Sequence, residues 1–201
     1  MESFQFEWCH YLQADKAVKT GYAGTHWQDE AFVAKVHAAA ARVPMLARPA
    51  RTLQPGAYRT AFSPTAMGDL VGILGWSGFS LRARRHGVSA LMRMVRGEAQ
   101  MAEQVQLGDD LAQGTAPAFN AEGFARPGRV ALVEAGRLPA EGGSLNSSRA
   151  AAEFGVAANG ADASELPTAL HLAAGTLPQT ELLRALDTGL YVSNLHYLNS
   201  R

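Results

Sequence analysis

The sequence has little cysteine, little isoleucine and no long apolar run, and each shortage excludes a class of protein. Cys9 is the single cysteine, so an internal disulfide framework and a Cys-x-x-Cys metal or redox motif are excluded. No stretch approaches the roughly 18 consecutive apolar residues that a membrane-spanning helix requires. The apolar residues are mostly small, with 37 alanines against one isoleucine. Because Met1-Glu2-Ser3 lacks the basic and apolar regions of a signal peptide, we expect a cytoplasmic protein with no membrane partner.

Charge is balanced over the whole chain but not along it. The sequence has 18 basic and 18 acidic residues, which disfavours both nucleic acid and anionic lipid as general partners. Nine arginines and one acid, Asp69, lie between Arg42 and Arg96, a net of 9 − 1 = +8 that the rest of the chain balances. Clustered arginines can neutralise phosphates, but no nucleic-acid-binding motif accompanies this Arg42–Arg96 segment. The segment therefore favours a solvated face or a docking surface for an acidic partner over phosphate binding.

Apolar spacing and capping residues place the secondary structure. Strands and helices do not alternate regularly, which predicts an α+β fold with mixed, mostly antiparallel sheets and several short helices. Gly108-Asp109-Asp110 is typical of a turn. Strands are predicted at 4–8, 58–62, 105–107, 130–134 and 190–198, and helices from residue 29 up to Pro44 and at 64–75, 89–96, 147–154 and 180–186.

Histidine spacing gives no self-contained metal site. The six histidines are at 10, 26, 37, 86, 171 and 196, and no two have the i, i+4 spacing that directs two imidazoles to one metal. A site assembled from Cys9, His10, His26 or His86 stays open as an alternative, although neighbouring residues in a strand face opposite sides. Gly75-Trp76-Ser77-Gly78 does not fit the Gly-x-Ser-x-Gly nucleophile elbow, because its second glycine comes one residue early.

Several segments, taken in order, resemble the TldD/PmbA family, whose names include modulator of DNA gyrase and metalloprotease. The resemblance covers nearly the whole chain and implies a TldD/PmbA-like fold. The segments that carry it are Asp15-Lys16-Ala17-Val18-Lys19, Gln54-Pro55-Gly56-Ala57-Tyr58-Arg59, Phe119-Asn120-Ala121-Glu122-Gly123 and Gly189-Leu190-Tyr191-Val192-Ser193-Asn194-Leu195.

The resemblance also identifies where this chain departs from the family. TldD-type members carry a His-Glu-x-x-x-His motif on the helix after the Pro-Gly strand, which supplies two zinc ligands and a catalytic Glu. Here the matching positions are Val71, Gly72 and Trp76, which can neither bind zinc nor transfer a proton. The chain therefore resembles the PmbA (TldE) type, which lacks the metal motif and pairs with a TldD-type subunit.

The family pattern extends beyond this sequence at both ends. The resemblance implies that residues 1–201 form a single central and C-terminal region, without the family's N-terminal α/β domain and its last strands. A third zinc ligand of TldD-type members, a Cys near the C-terminus, would lie beyond Arg201. We expect no cofactor in this chain and zinc in a TldD-type partner.

Three hypotheses follow from these observations. The first is a non-catalytic or regulatory subunit that binds an extended peptide and pairs with a TldD-type subunit or forms a homodimer. The second is a metallopeptidase in its own right with an unconventional site, and the third is a nucleic-acid or gyrase-associated module that uses the Arg42–Arg96 segment. The residues that we expect to contact substrate or partner are Tyr58, Arg59, Glu122 and Gly123, with no catalytic residue.

Overall fold

A computed structural model of the chain describes residues 2–112, 114, 116–140, 142–195 and 197–198. The chain divides into two compact units, of which the first comprises Met1–Asp69 with Thr176–Leu198 and the second Leu70–Gly175. In chain order the elements are β1 (Phe4–Gln13), β2 (Lys16–Gly24), α1 (Asp29–Ala40), a 3₁₀ turn (Val43–Ala47), β3 (Thr60–Phe62), α2 (Pro64–Gly75), α3 (Leu81–Arg85), α4 (Met92–Val95), β4 (Leu107–Asp110), β5 (Arg129–Val133), α5 (Ser148–Phe154), β6 (Leu170–Leu172), a second 3₁₀ turn (Gln179–Glu181), α6 (Leu182–Leu186) and β7 (Leu190–Val192).

The first unit is built on an aromatic hairpin. Strands β1 and β2 pair antiparallel, with Phe6 opposite Tyr22 and Trp8 opposite Thr20. Because side chains alternate along a strand, the aromatic residues of β1 share one face, and this face packs against Phe32 of α1, whose ring centroid lies 5.3 Å from that of Trp8. Aromatic contacts therefore take the place of large aliphatic side chains in this unit.

A short parallel pair adjoins the start of α2 in the same unit. Strand β3 pairs with β7, and Ser63, which follows β3, accepts a hydrogen bond from the Ala66 amide at 3.1 Å through its hydroxyl. This bond caps the first turn of α2. Gly189 lies so close to β3 that an added Cβ would stand 2.5 Å from the Arg59 carbonyl oxygen. A side chain at Gly189 would therefore push the two strands apart.

The second unit has the larger aliphatic core. Its sheet has the order β5-β4-β6, antiparallel throughout, and one face of it packs against side chains from α2 and α4 and from the loops. The buried members of this core are Phe79, Leu91, Leu107, Leu132, Val133, Leu145 and Ala161.

The fold class predicted from sequence is confirmed. The structure has mostly antiparallel sheets with several short helices, and β3–β7 is a parallel pair. Helix α2 begins and ends where the Ser-Pro start and the glycines predicted, and α5 ends at Gly155 in the left-handed conformation. None of the helices in the described ranges is both long and apolar enough to cross a membrane.

The predicted turn at Gly108-Asp109-Asp110 is wrong. These residues belong to β4, the central strand of its sheet, where Asp109 lies opposite Val130 on one side and Leu170 on the other. Two hydrogen bonds at Asp109 Oδ1, from the Thr168 amide at 3.1 Å and the Ala169 amide at 2.6 Å, satisfy the buried carboxylate. A strand can therefore contain a sequence that is typical of turns when its polar side chain finds buried partners.

Other elements were missed or predicted too long. Strand β2, helix α3 and strand β6 had no prediction, since each is short or lacks a clear apolar period. The predicted helix at 89–96 is reduced to α4, and the predicted strand at 190–198 ends at Val192, with its His196 outside the described residues.

Candidate functional site

The three positions matched to the zinc motif do not form a metal site. Val71 is half-buried and packs against the core of the second unit. Gly72 has no side chain, and a Cβ added there would meet no atom within 4 Å. Trp76 lies one residue beyond the end of α2 with 69% of its surface exposed. None of the three offers a nitrogen, oxygen or sulfur donor that zinc prefers, so these residues do not fit the metal that the family motif holds.

The alternative metal ligands are not brought together either. Within the described part of the chain, no three His, Cys, Asp or Glu side chains form a group that could hold a metal ion. Cys9 is exposed, and His10 Nε2 accepts a hydrogen bond from Trp8 Nε1 at 3.1 Å. His26 bonds to the Thr25 hydroxyl, and the ring of His86 packs edge-on against Phe154. The ring of each of these three histidines therefore contacts a different nearby side chain.

Tyr58 and Arg59 directly precede β3 in the first unit. The Tyr58 hydroxyl donates to the Gln54 carbonyl oxygen, and Arg59 Nη1 donates to the Ala185 carbonyl oxygen at 3.2 Å. The Arg59 carbonyl accepts a hydrogen bond from the Leu190 amide at 2.8 Å. Both residues are exposed, yet both also hold the loop before β3 and the end of α6 in place.

Glu122 and Gly123 form the tip of a turn in the second unit. Asn120 Oδ1 accepts hydrogen bonds from the amides of Glu122 at 3.1 Å and Phe124 at 2.9 Å. Gly123 has φ of +84°, a conformation that glycine adopts without strain, and no atom lies within 4 Å of an added Cβ. Phe119 and Phe124 beside the tip are each 59% exposed. The turn is built by Asn120 and leaves Glu122 free to contact another molecule.

The four predicted contact residues thus belong to two different units. Tyr58 and Arg59 lie in the first, and Glu122 and Gly123 lie in the second. Each pair forms a separate exposed feature of its own unit.

Sequence reasoning missed a cleft of about 580 Å³ in the first unit. Strand β2 lines one side of it through four consecutive residues, 18–21, and α1 and the first turn of α2 line other parts. Its charged lining residues are Lys19, Lys35, Arg42, Glu7 and Asp69. The lysines and Arg42 come from separate parts of the sequence, so no local motif could reveal the cleft.

The arginines between Arg42 and Arg96 do not all face solvent. Arg84 is half-buried, and its guanidinium donates to the carbonyl oxygens of Gly78, at 3.1 Å, and of Gly143. Burial lowers the pKa of Arg84 to about 10. In the second unit Arg85, Arg93 and Arg96 are exposed. At least one arginine of the Arg42–Arg96 segment, Arg84, therefore forms hydrogen bonds within the protein.

Two glycines of α2, Gly72 and Gly75, provide a matched test of how closely this helix packs against its surroundings. We expect Gly72→Ala to stabilise the chain by up to about 1 kcal/mol, because alanine favours the helix and the site has open space. Gly75→Ala should instead destabilise it, since an added Cβ would lie 2.9 Å from Pro167 Cγ. Urea denaturation of the two variants measures both effects, and equal signs for the two substitutions would contradict this description of the helix.

Comparison with known proteins identifies the class of this fold. Residues 55–201 match the family described as the PmbA/TldA metallopeptidase C-terminal domain. The fold is therefore of the metallopeptidase C-terminal domain class, and this chain has no metal-donor side chain at Val71, Gly72 or Trp76. Since the match covers more than half of the chain, the chain belongs to the TldD/PmbA family, which confirms the resemblance found in the sequence.

A solved structure has the same fold. The crystal structure of a protein from Thermotoga maritima MSB8, described as "a putative modulator of a DNA gyrase", superposes with a TM-score of 0.71 at 17% sequence identity. The match covers 97% of this chain and 45% of that protein, so this chain spans less than half of its length. Among curated proteins, none matches the sequence.

Proposed function

We propose that the chain acts in proteolytic processing or degradation of peptides as a non-catalytic or regulatory subunit that pairs with a zinc-bearing TldD-type metallopeptidase. The observation that carries the proposal is that in this metallopeptidase-family chain Val71 and Gly72 of helix α2, and Trp76 directly after it, lack every donor atom that the family motif uses. A chain that keeps the fold without the donors is suited to binding and to positioning a partner.

Exposed strand edges support a role in peptide binding. Strands β1 and β2 form a two-stranded sheet, so each has one edge without a strand neighbour in that sheet. An extended peptide can add to such an edge through main-chain hydrogen bonds that need no particular side chain. The absence of a catalytic motif in the sequence is therefore compatible with substrate capture.

Co-elution tests the partnership. We expect the purified chain, mixed with a zinc-bearing TldD-type chain from the same organism, to elute from gel filtration as one species larger than either component. The mixture should hydrolyse an unstructured peptide faster than the TldD-type chain alone, while this chain alone should not hydrolyse it. Separate elution at micromolar concentrations would overturn the pairing, and elution alone at twice its 21.4 kDa mass would favour a homodimer.

A nucleic-acid or gyrase-associated role has weaker support. The related protein from Thermotoga maritima carries a gyrase-modulator description, and the Arg42–Arg96 segment supplies positive charge. However, Arg84 is half-buried and bonds to two backbone carbonyls, and the guanidinium of Arg59 bonds to a third, so fewer cations are free than the sequence suggests. Phosphate binding would weaken steeply with added salt.

A further inference from the structure

The cleft of the first unit combines a strand that has one edge without a strand partner with a set of cationic residues. Residues 18–21 of β2 line it in an unbroken run, and its lining residues include Lys19, Lys35 and Arg42. These features lie within one compact unit. A volume of about 580 Å³ is within the range of roughly 300–1,000 Å³ typical of ligand sites.

We propose that this cleft binds the carboxylate of an extended peptide that pairs with the outer edge of β2. The proposal rests on the peptide-binding role proposed above and names the chemical group that the site selects. A carboxylate can come from the C-terminus of the peptide or from an acidic side chain, and both present the same two oxygen acceptors.

The backbone of β2 provides hydrogen-bonding groups that do not depend on the sequence of the bound peptide. Its register pairs it with β1 from Lys16 to Gly24, and no other described element forms a backbone hydrogen bond with it. Every second residue of an edge strand directs its amide and carbonyl groups away from its partner strand. An added strand would satisfy these groups along the wall of the cleft.

The three cationic residues of the cleft provide selectivity for an anionic ligand. Lys19 belongs to β2, Lys35 to α1 and Arg42 to the segment after α1, so the cations that line the cleft come from three places in the chain. No described residue forms a salt bridge with any of the three, so their charge stays available. The cations outnumber the two lining carboxylates, Glu7 and Asp69, by 3 − 2 = 1, which favours an anionic ligand.

A carboxylate is the anion that best fits a peptide-binding edge. Lysine and arginine form charge-assisted hydrogen bonds with carboxylates, which are stronger than bonds between neutral groups. The mixed charge of the lining, which includes Glu7 and Asp69 as well as the cations, disfavours a polyanion such as nucleic acid. The lining has one more cation than carboxylate, so a neutral peptide strand with a single carboxylate has the charge that balances it.

Isothermal titration calorimetry with three synthetic peptides tests the proposal on the full chain. Each probe is an N-acetylated heptapeptide of alternating threonine and alanine. The first has a free C-terminal carboxylate, the second a C-terminal amide, and the third a C-terminal amide with glutamate at its centre. We expect one or both carboxylate-bearing peptides to bind on the order of tenfold tighter than the neutral one. The tighter of the two identifies whether the site takes a chain end or an acidic side chain.

Two arginines that flank the same 3₁₀ turn make a matched pair of variants. Arg42 precedes the turn and lines the cleft, whereas Arg48 follows it and does not, and both are exposed. We expect Arg42→Glu to reduce the affinity for the carboxylate peptide to that for the neutral one, and Arg48→Glu to change it less than about twofold. Lys35→Glu, on the exposed surface of α1, should repeat the loss if Arg42→Glu fails to fold.

The possible results separate the two proposals. Equal binding of the charged and neutral peptides would overturn the carboxylate site and leave peptide binding intact. Binding of none of the three peptides would overturn both. Equal losses from Arg42→Glu and Arg48→Glu would overturn the site as well, since they would show only a general effect of net charge.

Discussion

Replacement of Arg126 by methionine is expected to destabilise the chain by about 3–5 kcal/mol, because it leaves the carboxylate of Asp109 buried without its cation. Arg126 Nη2 pairs with Asp109 Oδ2, and the two side chains are only 8% and 1% exposed. Arg126 also donates to the Thr168 hydroxyl. Removing one partner of a buried ion pair costs far more than removing an exposed one.

A second ion pair of the same sheet provides the control. Arg129 Nε lies 3.9 Å from Asp110 Oδ2, and the Arg129 side chain is half exposed. We expect Arg129→Met to cost less than about 1 kcal/mol. Guanidinium denaturation of both variants measures the difference, and similar losses for the two would show that burial of the Asp109–Arg126 pair does not determine its contribution.

Replacement of Glu165 by glutamine is expected to cost about 2–4 kcal/mol, because two buried donors lose their acceptor. Glu165 is 1% exposed and accepts four hydrogen bonds in the second unit. Oε2 accepts from the Ser80 hydroxyl at 2.6 Å and the Arg82 amide at 2.9 Å. Oε1 accepts from the Ser147 amide at 3.0 Å and the Ser147 hydroxyl at 2.9 Å. An amide nitrogen at either position of the side chain cannot accept these bonds.

The carboxylate of Glu165 connects the starts of two helices. Ser80 is the N-cap of α3 and Ser147 is the N-cap of α5, and both hydroxyls bond to the same carboxylate. Ser80→Ala removes one of the four donors to Glu165 and also the capping bond from the Ala83 amide to the Ser80 hydroxyl, so we expect it to cost about 1–2 kcal/mol, less than Glu165→Gln. A larger loss for Ser80→Ala than for Glu165→Gln would contradict a central role for the carboxylate.

The pH dependence of stability follows from the same contacts. Burial alone would raise the pKa of Glu165, but the hydrogen bonds from Ser80, Arg82 and Ser147 outweigh it and lower the pKa below its ordinary value. The stabilisation is therefore complete above the pKa of the unfolded chain, about 4.3, and is lost as the pH falls through the lower pKa of the folded state. Urea unfolding from pH 7 down to pH 3 should show a smaller decrease for Glu165→Gln than for the unmodified chain.

Local signals predicted the parts of the fold that local interactions determine. The bounds of α2 follow from Ser63-Pro64 at its start and from the glycines at its end, and α5 follows from Ser147 and Gly155. These residues cap or end a helix through contacts with their own neighbours in sequence.

Long-range contacts determine the parts that the sequence did not reveal. Asp109 lies in a strand because Arg126 and the amides after Pro167 satisfy its carboxylate, and these partners are 17 or more residues away. Helix α3 has three arginines in five residues, so no apolar stripe marks it, yet Arg84 is held by Gly78 and Gly143. Such elements depend on partners that a local pattern does not contain.

The candidate site shows the same division. The loss of metal donors at Val71, Gly72 and Trp76 can be read directly from the family motif and the sequence. The cleft cannot, because Lys19, Lys35 and Arg42 share no motif and only the packing of α1 on β2 brings them to one place. Glu122 was predicted as a contact residue, and the structure places it at an exposed tip that Asn120 builds.

Zinc content is the measurement that tests the central claim most directly. The purified chain and a TldD-type chain, prepared identically without chelators, would be analysed for metal by inductively coupled plasma mass spectrometry. We predict background zinc in this chain and about one zinc per chain in the TldD-type control, because this chain lacks donors at the motif positions. About one zinc per chain in this protein, retained through dialysis, would contradict a non-catalytic subunit and would support a metallopeptidase site formed by other residues.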